Sequence, residues 1–143
     1  MSYTFSIIKP DSIENGHQLA ILRRIKNSNF NINGLKHIRL SKDQAEEFYS
    51  IHKGKPFYDD LIKFMTSGPV IVLSLHSNSY SNEDTVNDFR DLIGDTDPKE
   101  SDLGTIRNLY GTDIGHNAIH GADSPENAKI ETLFFFPELS NIF

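Results

Sequence analysis

Apolar residues change their spacing several times along this chain, and each change marks an element. Tyr3, Phe5 and Ile7 fall on alternate positions of an aromatic and β-branched run that Pro10 and Asp11 stop, so Tyr3 to Lys9 is expected as a strand. That strand delivers Lys9 at its carboxyl end. From His17 to about Asn29 the period lengthens, with Leu19, Ile21, Leu22 and Ile25 at helical spacing. Gly34 to Leu40 reads as a second strand. Ser41 and Gln44 have the form of a capping box, in which each side chain satisfies a free amide of a helix start, and Ala45, Phe48, Tyr49 and His52 then share one helical face.

Gly54, Lys55 and Pro56 interrupt the pattern before Phe57, Leu61, Phe64 and Met65 form a second stripe, so a helical hairpin is expected that ends at Ser67-Gly68-Pro69. Val70 to Leu75 is almost continuously apolar, the mark of a central strand covered on both faces. A polar loop from His76 to Asn82 leads to a helix carrying Val86, Phe89, Leu92 and Ile93, with Arg90 beside them and Gly94 at its end. Asp95 to Asn117 is a long polar loop with one short helical stretch near Thr105 to Tyr110, and loops of that length in compact domains are usually functional. Ser124, Pro125 and Glu126 form a good helix start, and Leu133 to Phe136 reads as a last short strand. The element order fits the ferredoxin-like βαββαβ arrangement, an α+β fold with a four-stranded antiparallel sheet covered by helices.

Composition narrows the classes. A chain of 143 residues, with no internal repeat or linker, is expected to form a single domain over 1–143. Its 14 Lys plus Arg against 20 Asp plus Glu give a net charge of -6, which disfavours a nucleic-acid footprint but leaves room for a small anionic ligand held by a few local cations. The lack of cysteine removes disulfides, thiolate nucleophiles and cysteine-based zinc sites. The amino terminus does not have the form of a signal peptide and no apolar run reaches the length of a membrane span, so a soluble, cytoplasmic protein without membrane contact is expected.

The candidate chemistry centres on NAIHGAD, residues 117–123. His116 and His120 have the i, i+4 spacing of paired metal ligands, but the segment lacks the glutamate of a zinc-binding helix and is bracketed by Gly115 and Gly121. His120 alone is either a satisfied structural histidine or a nucleophile. In the second case one ring nitrogen faces substrate while an acceptor holds the other, and Glu131, on the helix that follows, is the natural acceptor. Lys9, Arg90 and Arg107 stand at element ends or in the long loop and are candidates for a phosphate site. A Walker A loop is absent, because Tyr49 and Pro56 occupy its required positions around Gly54-Lys55.

Further stretches occur together and in order: TFSIIKPD at 4–11, KPFYDDL at 55–61, SGPV at 67–70, GDTDP at 94–98, GTIR at 104–107 and NAIHGAD at 117–123. With these the chain resembles a nucleoside diphosphate kinase from about Tyr3 to Phe136. The resemblance implies ping-pong transfer of the γ-phosphoryl group from a nucleoside triphosphate to a nucleoside diphosphate, such as ATP and GDP, through phosphohistidine on the pros nitrogen of His120. Glu131 would hold the other ring nitrogen. It implies that Lys9 and Asn117 contact the ribose, with Lys9 reaching the moving phosphoryl as well, and that Tyr49 approaches the histidine. Phe57 would stack on the base with Leu61 nearby, and Arg90, Thr96 and Arg107 would bind phosphates. Mg2+ is implied as cofactor, held by nucleotide phosphates rather than by protein side chains, and the assembly implied is a homo-oligomer, tetramer or hexamer.

The chain departs from the family pattern in places. Ala122 stands where the usual HGSD has a serine that helps to orient the glutamate, and loss of one such hydrogen bond costs about 0.5 to 1.5 kcal/mol. That substitution is the one sequence feature favouring a nucleotide-binding or interaction module with little turnover. Retention of the other site residues favours the enzyme. The stretch HSNSYSNED at 76–84 is longer than in most members and is expected to reshape the cleft rim or an oligomer contact, while no long extension is expected beyond Phe136.

Overall fold

A computed structural model describes residues 2–79 and 81–143. Strand β1, Ser2–Ile8, runs into a short helix α1, Pro10–Glu14, and then α2, Gln18–Asn27. Strand β2 spans Asn31–Ile38. Helix α3, Lys42–Phe48, opens on the complete Ser41–Gln44 capping box, tightens into a 3₁₀ turn at Ser50–His52, and is followed by α4, Tyr58–Met65. Strand β3, Val70–Ser77, precedes α5, Asn82–Ile93, and the short α6, Ile106–Tyr110. Strand β4 is only Ile119–Gly121, and α7, Pro125–Phe135, leads to a closing 3₁₀ segment, Pro137–Ile142. The sheet order is β2-β3-β1-β4 with antiparallel neighbours throughout, the ferredoxin-like topology.

Alternation along β3 explains its unbroken apolar run. Val70 and Val72 face a cluster with Phe5, Ile7, Tyr49, Met65 and Phe135. Ile71, Leu73 and Leu75 face another cluster with Ile21, Ile25, Phe89 and Ile106. Helices cover both sides, so a central strand has no polar face to show. Among the described residues no helix is long and apolar enough to cross a membrane.

The expected strand at Leu133 to Phe136 is instead the end of α7 and the residue that caps it. The helix begun at Ser124 and Pro125 simply continues, burying Ala128, Thr132 and Phe135 on one face. A short apolar run has no periodicity with which to distinguish strand from helix, and here the established helix decides. The fourth strand lies earlier, within NAIHGAD, where it is too short to carry an alternation signal. Pro10, expected as a simple stop, takes the first position of α1, where its missing N–H costs nothing. Strand β2 starts before Gly34 because an irregularity between Ile32 and Gly34 lets the pairing with β3 continue, and Gly34 lies so close to Phe136 that a Cβ would sit 2.9 Å from its ring. Strand β3 continues through His76 and Ser77, shortening the expected loop, of which Tyr80 lies outside the described residues.

Candidate active site

The edge formed by β1, β4 and the helices beside them opens into a cavity of about 1200 Å³. Lys9, Tyr49, Phe57 and Leu61 line it from the first half of the chain, and Arg90, Thr96, Arg107, Asn117, His120 and Glu131 from the second. The residues that the resemblance assigns to the site therefore line one cavity.

Strand β4 carries His120 to the centre of this wall, opposite Ile7 of β1, with its carbonyl accepting the Ser6 hydroxyl at 2.8 Å. His120 Nε2 lies 2.5 Å from Glu131 Oε1, and both side chains are mostly buried. A carboxylate only accepts, so Nε2 carries the hydrogen and the lone pair is left on Nδ1. The Phe48 ring meets the imidazole edge-on at 5.8 Å and restricts its rotation. Tyr49 brings a buried hydroxyl that has no partner among the described residues, and burial, reinforced by the Glu131 charge, pushes its pKa well up. That phenol stays protonated and can donate.

Cations gather beside the histidine. Lys9, at the end of β1, donates from Nζ to Asn117 Oδ1 at 2.7 Å, and Asn117 Nδ2 donates to the Thr96 carbonyl at 3.0 Å. Burial, and then the Arg107 charge, lower the Lys9 ammonium to about 8 against the pull of Asp11. Arg107, in the first turn of α6, donates to the Gly94 carbonyl at 3.0 Å and to the Ile119 carbonyl at 2.9 Å, and burial with the Arg90 charge lowers it to about 10. Clustered like charges that disfavour one another in the free protein form a ready site for a polyanion.

The outer part of the cavity differs. Phe57, about half exposed at the start of α4, faces the opening with Leu61 and Phe64 behind it. Across from them the loop around Ile114 contributes that exposed side chain and His116. Sequence reasoning missed Ile114, since one apolar residue in a polar loop has no periodicity to betray it. His116 does not join His120 as a ligand: its Nδ1 lies 3.2 Å from Asp113 Oδ1 and its ring packs on Phe64 at 4.6 Å. Among the described residues no group of three or more His, Asp or Glu side chains stands together as a metal cage.

The family profile for nucleoside diphosphate kinase matches residues 2–140. The chain belongs to the nucleoside diphosphate kinase family. It is 40% identical over 136 residues to the nucleoside diphosphate kinase of Persephonella marina, covering 95% of this chain and 94% of that protein. The crystal structure of the Aquifex aeolicus nucleoside diphosphate kinase superposes with a TM-score of 0.90 at 40% identity, covering 96% of each chain. The Halobacterium salinarum nucleoside diphosphate kinase, solved in complex with CDP, gives a TM-score of 0.85 at 36% identity, covering 94% of this chain and 87% of that one. Against this family pattern, Ala122 is buried in the same apolar cluster as Phe5, Tyr49 and Phe135, and its N–H donates to the Phe5 carbonyl at 3.1 Å. The contact between Glu131 and His120 is formed without a serine hydroxyl beside it.

Proposed function

We propose that this nucleoside diphosphate kinase carries the phosphoryl group on Nδ1 of His120. The observation that carries the reading is a single one: His120 has Nε2 occupied by Glu131 and Nδ1 free, within a cavity that Lys9, Arg90 and Arg107 also line. The Nδ1 lone pair attacks the γ-phosphorus of a nucleoside triphosphate, the bond to the bridging oxygen breaks, and the nucleoside diphosphate leaves. A second diphosphate then attacks the phosphohistidine from the same side, and the imidazole departs with its lone pair restored. Glu131 stabilises the charge that the ring takes on while phosphorylated.

Phosphoryl transfer asks mainly for in-line placement and for positive charge around the moving oxygens. Arg90, Arg107 and the Thr96 region serve the phosphates, Lys9 reaches both the ribose and the transferred group, Asn117 holds Lys9 and the ribose, and the Tyr49 hydroxyl donates toward the transferred group. Phe57 stacks on the base beside Leu61, and because a ring reads only a π face, any nucleobase is accepted. The CDP bound to the Halobacterium relative supports a nucleotide in the corresponding cavity. Mg2+ fits this site as a passenger of the nucleotide phosphates, since Lys9, Arg90 and Arg107 stand on the inner wall and no group of three or more metal-ligating side chains stands together among the described residues. When bound it would neutralise phosphate charge. We assign the chain to the cytoplasm and to a homo-oligomer, tetramer or hexamer, on the family pattern.

The test is a trapping experiment with a terminally labelled nucleoside triphosphate and Mg2+. Acid-labile label on the chain that a different nucleoside diphosphate discharges is the expected result. His120→Ala is expected to bind nucleotide and to carry no label, and substantial transfer by that variant would overturn the assignment.

A further inference from the structure

The backbone just before His120 adopts a conformation that an alanine does not choose. Ala118 has φ 76° and is fully buried, and the Ile119 N–H donates to the Asn117 carbonyl at 2.9 Å around it. An i to i+2 bond around a residue of positive φ is a γ-turn of the rarer, strained hand. Such a turn persists only when its surroundings over-determine it.

Those surroundings come from one place, the turn joining β1 to α1. The Ala118 N–H donates to Asp11 Oδ2 at 3.0 Å. Its carbonyl accepts the Lys9 backbone N–H at 2.9 Å and the Ser12 hydroxyl at 3.0 Å. Asp11 and Ser12 are themselves buried, in the first turn of a helix that begins directly after Lys9. The reversal at Ala118 has a consequence on either side. Before it, the Asn117 side chain is directed at the Lys9 ammonium; after it, the chain enters β4 in the register that sets His120 against Ile7. Relaxation of φ to the ordinary range would break one of these placements, because both flanks of the turn are anchored on the same strand.

We infer that Asp11, assisted by Ser12, is a positioning residue for phosphoryl transfer: it clamps Ala118 in the left-handed turn and so fixes His120 and Asn117 relative to Lys9. Neither side chain needs to touch substrate for this. The inference rests on the phosphohistidine reading; its larger effect belongs in the chemical step, with a smaller loss of nucleotide affinity through Asn117 and Lys9.

The experiment measures single-turnover labelling of the chain by nucleoside triphosphate and Mg2+, together with nucleotide affinity and hydrogen exchange at the Ala118 amide. Asp11→Ala is expected to slow labelling by roughly 10- to 100-fold, the scale of a misplaced reacting group, with a smaller loss of affinity. Asp11→Asn keeps an oxygen that accepts the Ala118 N–H and should label within about threefold of the parent. Adding Ala118→Gly to Asp11→Ala should restore most of the rate, because glycine takes this backbone hand without strain. Should Asp11→Ala fail to fold, Ser12→Ala, which removes only the hydroxyl bond, is expected to slow labelling severalfold with a smaller change in affinity. An unchanged labelling rate in Asp11→Ala, an Asp11→Asn variant as slow as Asp11→Ala, or no rescue by glycine overturns the inference. A parent protein that takes no label at all overturns the phosphohistidine reading instead; Ala118 exchange that accelerates in Asp11→Ala and returns to normal in Asp11→Asn then still supports the clamp, and unchanged exchange removes it.

Discussion

The inner and outer parts of the cavity are built on opposite principles. At the inner end the central polar groups are tied to other elements: Lys9 to Asn117, Asn117 to the Thr96 carbonyl, Arg107 to the Gly94 and Ile119 carbonyls, His120 to Glu131. At the outer end Phe57 and Ile114 are exposed apolar side chains with no donor or acceptor to offer a base. The inner end is organised before substrate arrives, as electrostatic catalysis requires, so little reorganisation is left for the moment of transfer. Phe57 and Ile114 themselves supply apolar contact without hydrogen bonds, as the proposed tolerance of different bases requires. On the proposed reading, one pocket is therefore selective for phosphate at its inner end and tolerant of the nucleobase at its outer end.

The largest break in that contrast is expected from Arg107→Ala. It removes a cation and two bonds to backbone carbonyls at once, and kcat/KM should fall by roughly 10²- to 10³-fold with every nucleotide, as for loss of a preorganised charge-stabilising donor. Steady-state kinetics with several diphosphates check this, and a loss confined to one base would contradict the division of roles. Phe57→Ala comes next. Stacking is worth about 1 to 3 kcal/mol per base, so KM should rise at least about fivefold for purine and pyrimidine substrates alike while kcat changes little. A fall in kcat with unchanged KM would place Phe57 in the wrong half of the site.

Titration sharpens the comparison further. The Lys9 ammonium is lowered to about 8 in the folded protein from an ordinary 10.5. Between those values the unfolded chain binds more protons than the folded one, so this group adds stability as pH rises from about 8 toward 10.5. On the proposed reading nucleotide phosphates lie beside Lys9 and favour its charged form, so binding should take up protons in that window and affinity should weaken as pH rises through about 8. Calorimetry in buffers of different ionisation heat measures the proton uptake, and Lys9→Arg should abolish it. The smallest effect is expected from Ala122→Ser, which places a hydroxyl at a buried position where the family pattern has one. Turnover should be unchanged or rise by about tenfold at most, the scale of one hydrogen bond. A clear loss would show that the apolar cluster has closed around the methyl group.

Much of this molecule was legible from local pattern alone. Strand β1, the capping box at Ser41, the central β3 and the helix bearing Arg90 each rest on signals contained within a few residues, and so does the Ser124 helix start. Lys9, Phe57, Arg107, Asn117 and His120 lie in the ordered motifs, Arg90 stands out as a cation beside an apolar helix stripe, Glu131 as an acceptor for the histidine and Tyr49 through the family resemblance, and the cavity unites them. What escaped had no local signal. Leu133 to Phe136 is apolar enough to suit strand or helix, and continuation of the helix begun at Ser124, packed on the core, selected helix. Strand β4 is too short for alternation to show and exists because β1 had a free edge to pair. Ile114 and the hold of Asp11 on Ala118 depend on residues far apart in the chain meeting across a turn. Short-range periodicity and turn chemistry thus determined where elements begin and which side chains carry charge. Packing and long-range hydrogen bonding decided which ambiguous run became helix, which edge became strand, and how the backbone before His120 is held against its own preference.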